Sequence, residues 1–170
     1  MDVFEVIRTR RSIRRYLDKP VEKDKLLKVL EAARLSPSAV NLQPWSFIVV
    51  TKKKQKEKLK QAYNHDWFIA APVIIVACAL LEQAWKRLDG EEYWKVDVTI
   101  AMQDLILAAC EQGLGTCWIG AFREEEAKQA LDIPSNVRVV AMTPLGYPDE
   151  EKRPVTDRKP LDEIIRYDHW

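Results

Sequence analysis

The stretch "RTRRSIRRY", Arg8 to Tyr16, holds five arginines in nine residues: Arg8, Arg10, Arg11, Arg14 and Arg15. Guanidinium groups form bidentate, charge-assisted hydrogen bonds, so a cluster of them suits an anion, and a phosphate above all. Arg10, Ser12 and Arg14 alternate along what reads as extended chain, which lets them point to one side. The competing reading is a set of exposed or ion-paired surface arginines, and on that reading no ligand is needed. A second stretch, "SPSAVNLQPW", packs the neutral donor–acceptor groups of Ser38, Asn41 and Gln43 between prolines and a Trp. Side-chain amides offer donor and acceptor together, the pattern that reads the edge of a heteroaromatic ring. Such a loop can equally satisfy its own backbone.

A third stretch, "GLGTCWIGAF", concentrates Gly113, Gly115 and Gly120, three of only five glycines in the chain. Glycine lets backbone approach a ligand closely. The spacing is not a dinucleotide fingerprint, because it follows a helix rather than opening one. A helix cap leading into a tightly packed strand would use the same glycines. Finally, "TDRKPLDEI" sets Arg158 and Lys159 before Pro160, where they either return to the same anion or form a plain basic tail.

These segments need elements to hold them. Asp2 and Glu5 have capping-box spacing, and Val3, Val6 and Ile7 line one face of a short helix that frays near "RTRRS". A second helix is expected over Glu22 to Arg34, with Leu26, Leu27, Leu30 and Ala33 buried. "WSFIVVT" reads as a strand. "KKKQKEKLKQAY" has six lysines against Leu59, Ala62 and Tyr63, an exposed helix with a narrow buried edge. "PVIIVACAL" is a strand buried on both faces. The longest helix runs from about Glu92 to Gln112, apolar over most of its circumference through Val96, Ile100, Leu105, Leu107 and Ala108. Gly113 closes it as a left-handed cap. A helix over "REEEAKQAL" carries acids in its first turn, where the helix dipole favours them. "VRVVAMTPLGY" is a strand broken by Pro144 and Gly146, and "PLDEII" is a final helical turn. The whole is α+β, read as a single domain over residues 1–170.

Composition excludes several classes. Net charge is +1, too neutral for a protein that tracks a nucleic-acid backbone. The odd count of Cys78, Cys110 and Cys117, with no Cys-x-x-Cys pair, points to a reducing compartment without disulfide or zinc. The start "MDVFEVIRTR" lacks the pattern of a signal peptide, and the longest apolar run, "FIAAPVIIVACALL", contains a Pro and is too short for a bilayer. A cytoplasmic protein is expected. His65 and His169 are the only histidines, and no nucleophile–base set stands out.

In order and spacing, "RRSIR", "PSAVNLQPW", "GLGTCWIGAF" and "DRKPL" resemble the FMN-dependent nitroreductases, also called the NADH oxidase or flavin reductase family. The resemblance spans almost the whole chain, and the second motif is its most specific part. It implies a mixed sheet flanked by helices, an intertwined homodimer with FMN at the subunit interface, and no metal. Arg10, Ser12 and Arg158 match positions that hold the FMN phosphate. Arg14 matches a cation at the pyrimidine end of the ring, and Arg11 lies along the cofactor. Pro37, Ser38, Asn41 and Gln43 match the loop that reaches the partner's flavin. Trp118, Ile119, Gly120 and Ala121 match the strand beside the ring, with the Gly120 N–H facing N5, and Asn64 matches a polar contact to the ring edge. Arg8 and Arg15 are surplus to that scheme.

The implied activity is ping-pong: NAD(P)H reduces the flavin, and a nitroaromatic, quinone or similar acceptor reoxidises it. Alternatives are a flavin carrier or sensor without turnover, and a dehalogenase or ene-reductase of the same fold. The segment Leu80 to Trp94 is expected to cover the flavin and offers Trp85, Tyr93 and Trp94 for stacking, although these rings serve equally as core or interface. Cys117 reads as structural.

Overall fold

The computed structural model describes residues 1–170. Helix α1 (Val3–Thr9) begins at Asp2, whose carboxylate accepts the Glu5 N–H at 2.9 Å. Helix α2 (Lys23–Arg34) leads through the Pro37–Gln43 loop to strand β1 (Trp45–Val50). Helices α3 (Lys53–Leu59) and α4 (Asp66–Ala70) precede strand β2 (Val73–Leu80). The long helix α5 (Trp94–Glu111), the two-residue strand β3 (Gly115–Thr116), helix α6 (Glu124–Leu131), strand β4 (Val137–Gly146) and helix α7 (Leu161–Ile164) complete the chain.

The four strands form one antiparallel sheet in the order β1-β2-β4-β3. A parallel element enters only where Ser12 bridges Thr116. Central β2 shows why its sequence is almost wholly apolar. Val73, Ile75, Ala77 and Ala79 face α2 and α5 in one core layer, while Ile74, Val76 and Cys78 face α3, α4 and α6 in the other. Alternate residues therefore meet opposite layers, and every position but the last is buried. Burial pushes the Cys78 thiol up to about 11, so it stays protonated and inert.

Several expectations are corrected. β4 runs unbroken through Pro144 to Gly146. Met142 donates to the Ile119 carbonyl, so the nitrogen of Pro144, two residues on, faces the same side. There the edge pairing already lapses, because the Cys117 N–H bonds the Thr143 hydroxyl at 3.1 Å instead of backbone. A missing donor is tolerated at that point. In α2, Leu27 is exposed, and the buried stripe is Leu26, Val29, Leu30 and Ala33, at proper helical spacing. In α1 only Val6 is buried, and Val3, Phe4 and Ile7 face outward. Val96 and Ile100 of α5 are likewise exposed. The turn after "KKKQKEKLKQAY" contains a helix, α4, that the sequence does not announce.

The residues that connect α1 to α2 form no helix of their own. Residues 15–17 pair with residues 147–149, and Ser12 and Ile13 lie on β3 as an extra edge, with the Ile13 N–H donating to the Thr116 carbonyl at 2.8 Å. Gly115 makes this possible: a Cβ there would sit 2.7 Å from Ile13 Cγ1 and 2.9 Å from its Cβ. Gly115→Ala is therefore expected to cost about 1–3 kcal/mol of stability through overpacking, read as a lowered Tm. An unchanged Tm would show that the edge can shift without cost.

Candidate functional site

The arginine segment is extended, but it does not present one tidy row. Arg10 caps α1 and lines a cleft of about 350 Å³ together with Arg8, Gln103 and Arg158. Two cations 148 positions apart in the chain thus meet, as the phosphate expectation requires. Arg8, read from the sequence as surplus, belongs to the same cleft. Arg10 also borders a second cleft of about 220 Å³, with Arg11, Cys110, Gly113, Gly115, Glu150 and Lys152. Arg10 and Arg11 sharing a cleft departs from strict alternation. Arg14 lies elsewhere: its guanidinium stands 5.9 Å from the centroid of the Trp67 ring.

None of Arg8, Arg10, Arg11, Arg14 and Arg158 forms an ion pair within the protomer, although nine other ion pairs are present. That weighs against the reading of a paired surface cluster. Arg15 differs, since its side chain donates to the Asp149 carbonyl at 2.6 and 3.0 Å. It serves structure, as expected of a surplus arginine.

Two residues invisible in the sequence pattern fix the segment. Glu150 accepts the Arg14 N–H at 2.6 Å and pairs with Lys152 at 3.0 Å. Lys152 in turn donates to the Ser12 carbonyl at 2.7 Å. Burial raises the Glu150 carboxyl, but the hydrogen bonds from Arg14 and Lys152 outweigh it and hold the group below the usual carboxylate range. Beneath, the Tyr16 hydroxyl donates to the Ile13 carbonyl at 2.6 Å, and burial pushes its pKa far up. The Ser12 hydroxyl makes no hydrogen bond in the protomer and is left available.

The glycine segment divides by role. Gly113 has φ +72° and caps α5, and Gly115 admits Ile13. Gly120 has no such duty: a Cβ there would meet only the Trp118 indole, at an ordinary 3.5 Å. Trp118, Gly120 and Ala121 are exposed, whereas Ile119 is buried and bridges Met142. Ala121 and Asn64 line one open cleft of about 490 Å³ with Tyr63, His65 and Phe122. Asn64 and Ala121 thus share a cleft, which Trp118, Ile119 and Gly120 do not line. Cys117 is buried, in keeping with a structural role.

The Pro37–Gln43 loop stands apart, and no residue of it lines these clefts. Val40, Asn41 and Gln43 take φ of 53°, 57° and 52°. Three non-glycine residues in the left-handed region, one of them β-branched, are a concentration of strain. Ser38 is spent on the turn, its hydroxyl accepting the Gln43 N–H at 2.9 Å. Pro37, Asn41 and Gln43 are exposed, as are the apolar Val40 and Leu42.

The segment Leu80 to Trp94 forms a small hairpin. Lys86 bridges Glu92, Gly90 turns the chain at φ +89°, and Leu88 at the tip is fully exposed. Trp94 belongs to the core, 6% exposed, so it is not available for stacking on a ligand. Trp85 and Tyr93 pack edge to face, 5.1 Å apart, at the hairpin's base.

No helix is long and apolar enough to cross a membrane. The family model described as "Nitroreductase family" matches residues 7–67 and 59–147. An NADH dehydrogenase of Thermus thermophilus is 33% identical over 187 aligned positions, covering 92% of this chain and 91% of its own. A nitroreductase family protein from Clostridium difficile 630 superposes with a TM-score of 0.91 at 32% identity, with both chains fully covered. An FMN-dependent nitroreductase from Clostridium difficile R20291 gives 0.84 at 33% identity, covering 99% of this chain and 100% of the other. The motifs, the sheet with its arginine edge and these matches agree over nearly the full length, and the chain belongs to the nitroreductase family.

Proposed function

We propose that residues 1–170 form one FMN-binding unit that acts, as a homodimer, as an NAD(P)H-dependent oxidoreductase. The observation that carries this reading is the meeting of Arg8, Arg10 and Arg158 in one cleft without any acidic partner. Like charges brought together without compensation await an anion. Gly120 agrees with it, because the residue is exposed and no packing inside the protomer requires a glycine there. The chain's own residues thus fit a flat cofactor carrying a phosphate. The Clostridium difficile R20291 neighbour is FMN-dependent by name.

Bound FMN would supply the redox chemistry, taking hydride at N5 from a nicotinamide and passing it to a nitroaromatic, quinone or similar acceptor. The protein's task is to bind, orient and exclude water. Arg10, Ser12 and Arg158 hold the phosphate, and Arg11 lines the cofactor. Arg14, braced against Trp67, is the fixed cation for negative charge that develops on the pyrimidine edge, and a fixed charge stabilises without reorganising. The backbone of Trp118 to Ala121 and the side chain of Asn64 border the ring. Pro37, Ser38, Asn41 and Gln43 belong to a partner's site.

The exposed apolar residues favour a second copy. Phe4, Ile7, Val40, Leu42, Val96 and Ile100 remain exposed in the protomer, as do Leu161, Ile164, Tyr167 and Trp170. The self-complementary faces of a two-fold dimer would cover them.

Two outcomes test the reading. The purified protein is expected to be yellow, or to take up added FMN, and its visible bands to bleach when NADH or NADPH is added without oxygen. Flavin that fails to bleach with either would favour a carrier, and a protein that takes up no flavin would overturn the proposal. Arg10→Ala is expected to weaken FMN binding by about 1.5–3 kcal/mol, the scale of hydrogen bonds to a charged group. Unchanged affinity, measured by fluorescence titration, would remove Arg10 from the phosphate site.

A further inference from the structure

The loop that carries Asn41 and Gln43 is held largely by itself. The Asn41 and Leu42 N–H groups donate back to the Ser38 and Ala39 carbonyls, at 3.0 and 3.1 Å. The Gln43 N–H donates to Ser38 Oγ, and its side-chain amide donates to the Asn41 carbonyl. From Ser38 to Gln43, one hydrogen bond reaches a distant part of the chain: the Ala39 N–H donates to Asp97 Oδ1 at 2.9 Å.

Asp97 is an unusual residue for its place. It sits on α5 at 1% exposure, among the buried Trp94, Val98 and Ala101. Its second oxygen, Oδ2, is buried with no partner in the protomer. Burying a carboxylate is costly, and more so with half its acceptors empty. Packing alone would favour an apolar side chain. The loop it holds bears Val40, Asn41 and Gln43 at positive φ, with Val40 74% exposed. Such backbone persists only where its surroundings determine it. The loop's own hydrogen bonds give it its shape, and the Asp97 tether is the bond that fixes that shape to α5.

We propose that Asp97 is a positioning residue for the cofactor: through the Ala39 N–H it holds the loop that presents Asn41 and Gln43 to the flavin of the partner subunit. Asp97 is buried and its side chain's one hydrogen bond goes to the loop backbone, so it acts through the loop, and the inference rests on the reading of that loop given above. It adds a residue from the protein's interior to a site otherwise built of surface segments.

The bond can be cut from either end. Asp97→Ala removes the acceptor. Ala39→Pro removes the donor at the first position of a 3-10 turn, where proline is tolerated, and Ser38 before it is already extended at φ −141°, ψ 159°. Asp97→Asn keeps an acceptor oxygen. Hydrogen–deuterium exchange of the loop and fluorescence titration with FMN are measured on each full-length variant. Asp97→Ala and Ala39→Pro are each expected to speed exchange over residues 40–43 and to weaken FMN about tenfold, as for the loss of one buried hydrogen bond. The double variant should be no worse than either single one, because both remove the same interaction. Asp97→Asn should recover most of the affinity.

Normal loop exchange and normal affinity in Ala39→Pro would overturn the proposal, and this variant carries the test if Asp97→Ala does not fold. Additive losses in the double variant, about a hundredfold in all, would overturn it too, since Asp97 would then act by another route. Asn41→Ala separates the two levels of inference. If it weakens FMN while the tether variants do not, the loop reading stands and the role of Asp97 falls. If it also binds FMN normally, the loop reading fails and takes this proposal with it.

Discussion

Residues 10–16 belong to no helix and form no full strand, yet the proposed cofactor site is built around them. They are held by contact with the β3 edge: the Ile13 N–H on the Thr116 carbonyl, and the Ile13 side chain against a glycine that has no room for a Cβ. The other side is closed by Glu150 and Lys152, which take the Arg14 N–H and the Ser12 carbonyl. Together these leave the guanidinium groups of Arg10 and Arg11 without a hydrogen-bonded or ion-paired partner in the protomer. An arginine spent on a carboxylate would be stable and useless for binding. Here Arg15 alone is occupied, and the arginines of the clefts are not.

This arrangement divides the work between layers. The sheet and its two core layers are ordinary, fully apolar packing, and β2 supplies both faces by simple alternation. Polar and strained features lie at the periphery: unpaired cations at the α1 terminus, left-handed residues between α2 and β1, and an open backbone at Gly120. Peripheral features that are strained or uncompensated are costly in an isolated protomer. They are intelligible when a cofactor and a second chain complete them.

Much of this was legible in the residues, for physical reasons. The Asp2 cap, the Gly113 stop and the twin-faced β2 follow from local chemistry and periodicity, and each is present. Arg10 and Arg158 were linked by resemblance, and the fold brings them into one cleft. What was not legible depends on distant contacts. Pro144 should break a strand, and does not, because its missing N–H falls where the edge ladder already lapses. Trp94 looks like a stacking residue next to Tyr93, but helix α5 begins there and turns it into the core. Glu150, Lys152 and Asp97 carry no pattern at all. Their partners lie 136, 140 and 58 positions away, and only the folded chain brings them together. The exposed Val96 and Ile100 misled in a different way, since apolar periodicity does not distinguish a core from a surface awaiting a partner.

The central claim is that each flavin site is assembled from the arginine segment of one chain and the Pro37–Gln43 loop of another. Mixed dimers test it most directly. One chain carries Arg10→Ala with Arg158→Ala, and the other carries Asn41→Ala with Gln43→Ala. Each homodimer alone should bind FMN weakly. After subunit exchange, half the dimers are mixed, and each mixed dimer regains one intact site, so about a quarter of all sites should recover full affinity. No recovery on mixing, with mixed dimers present, would contradict a site shared between chains.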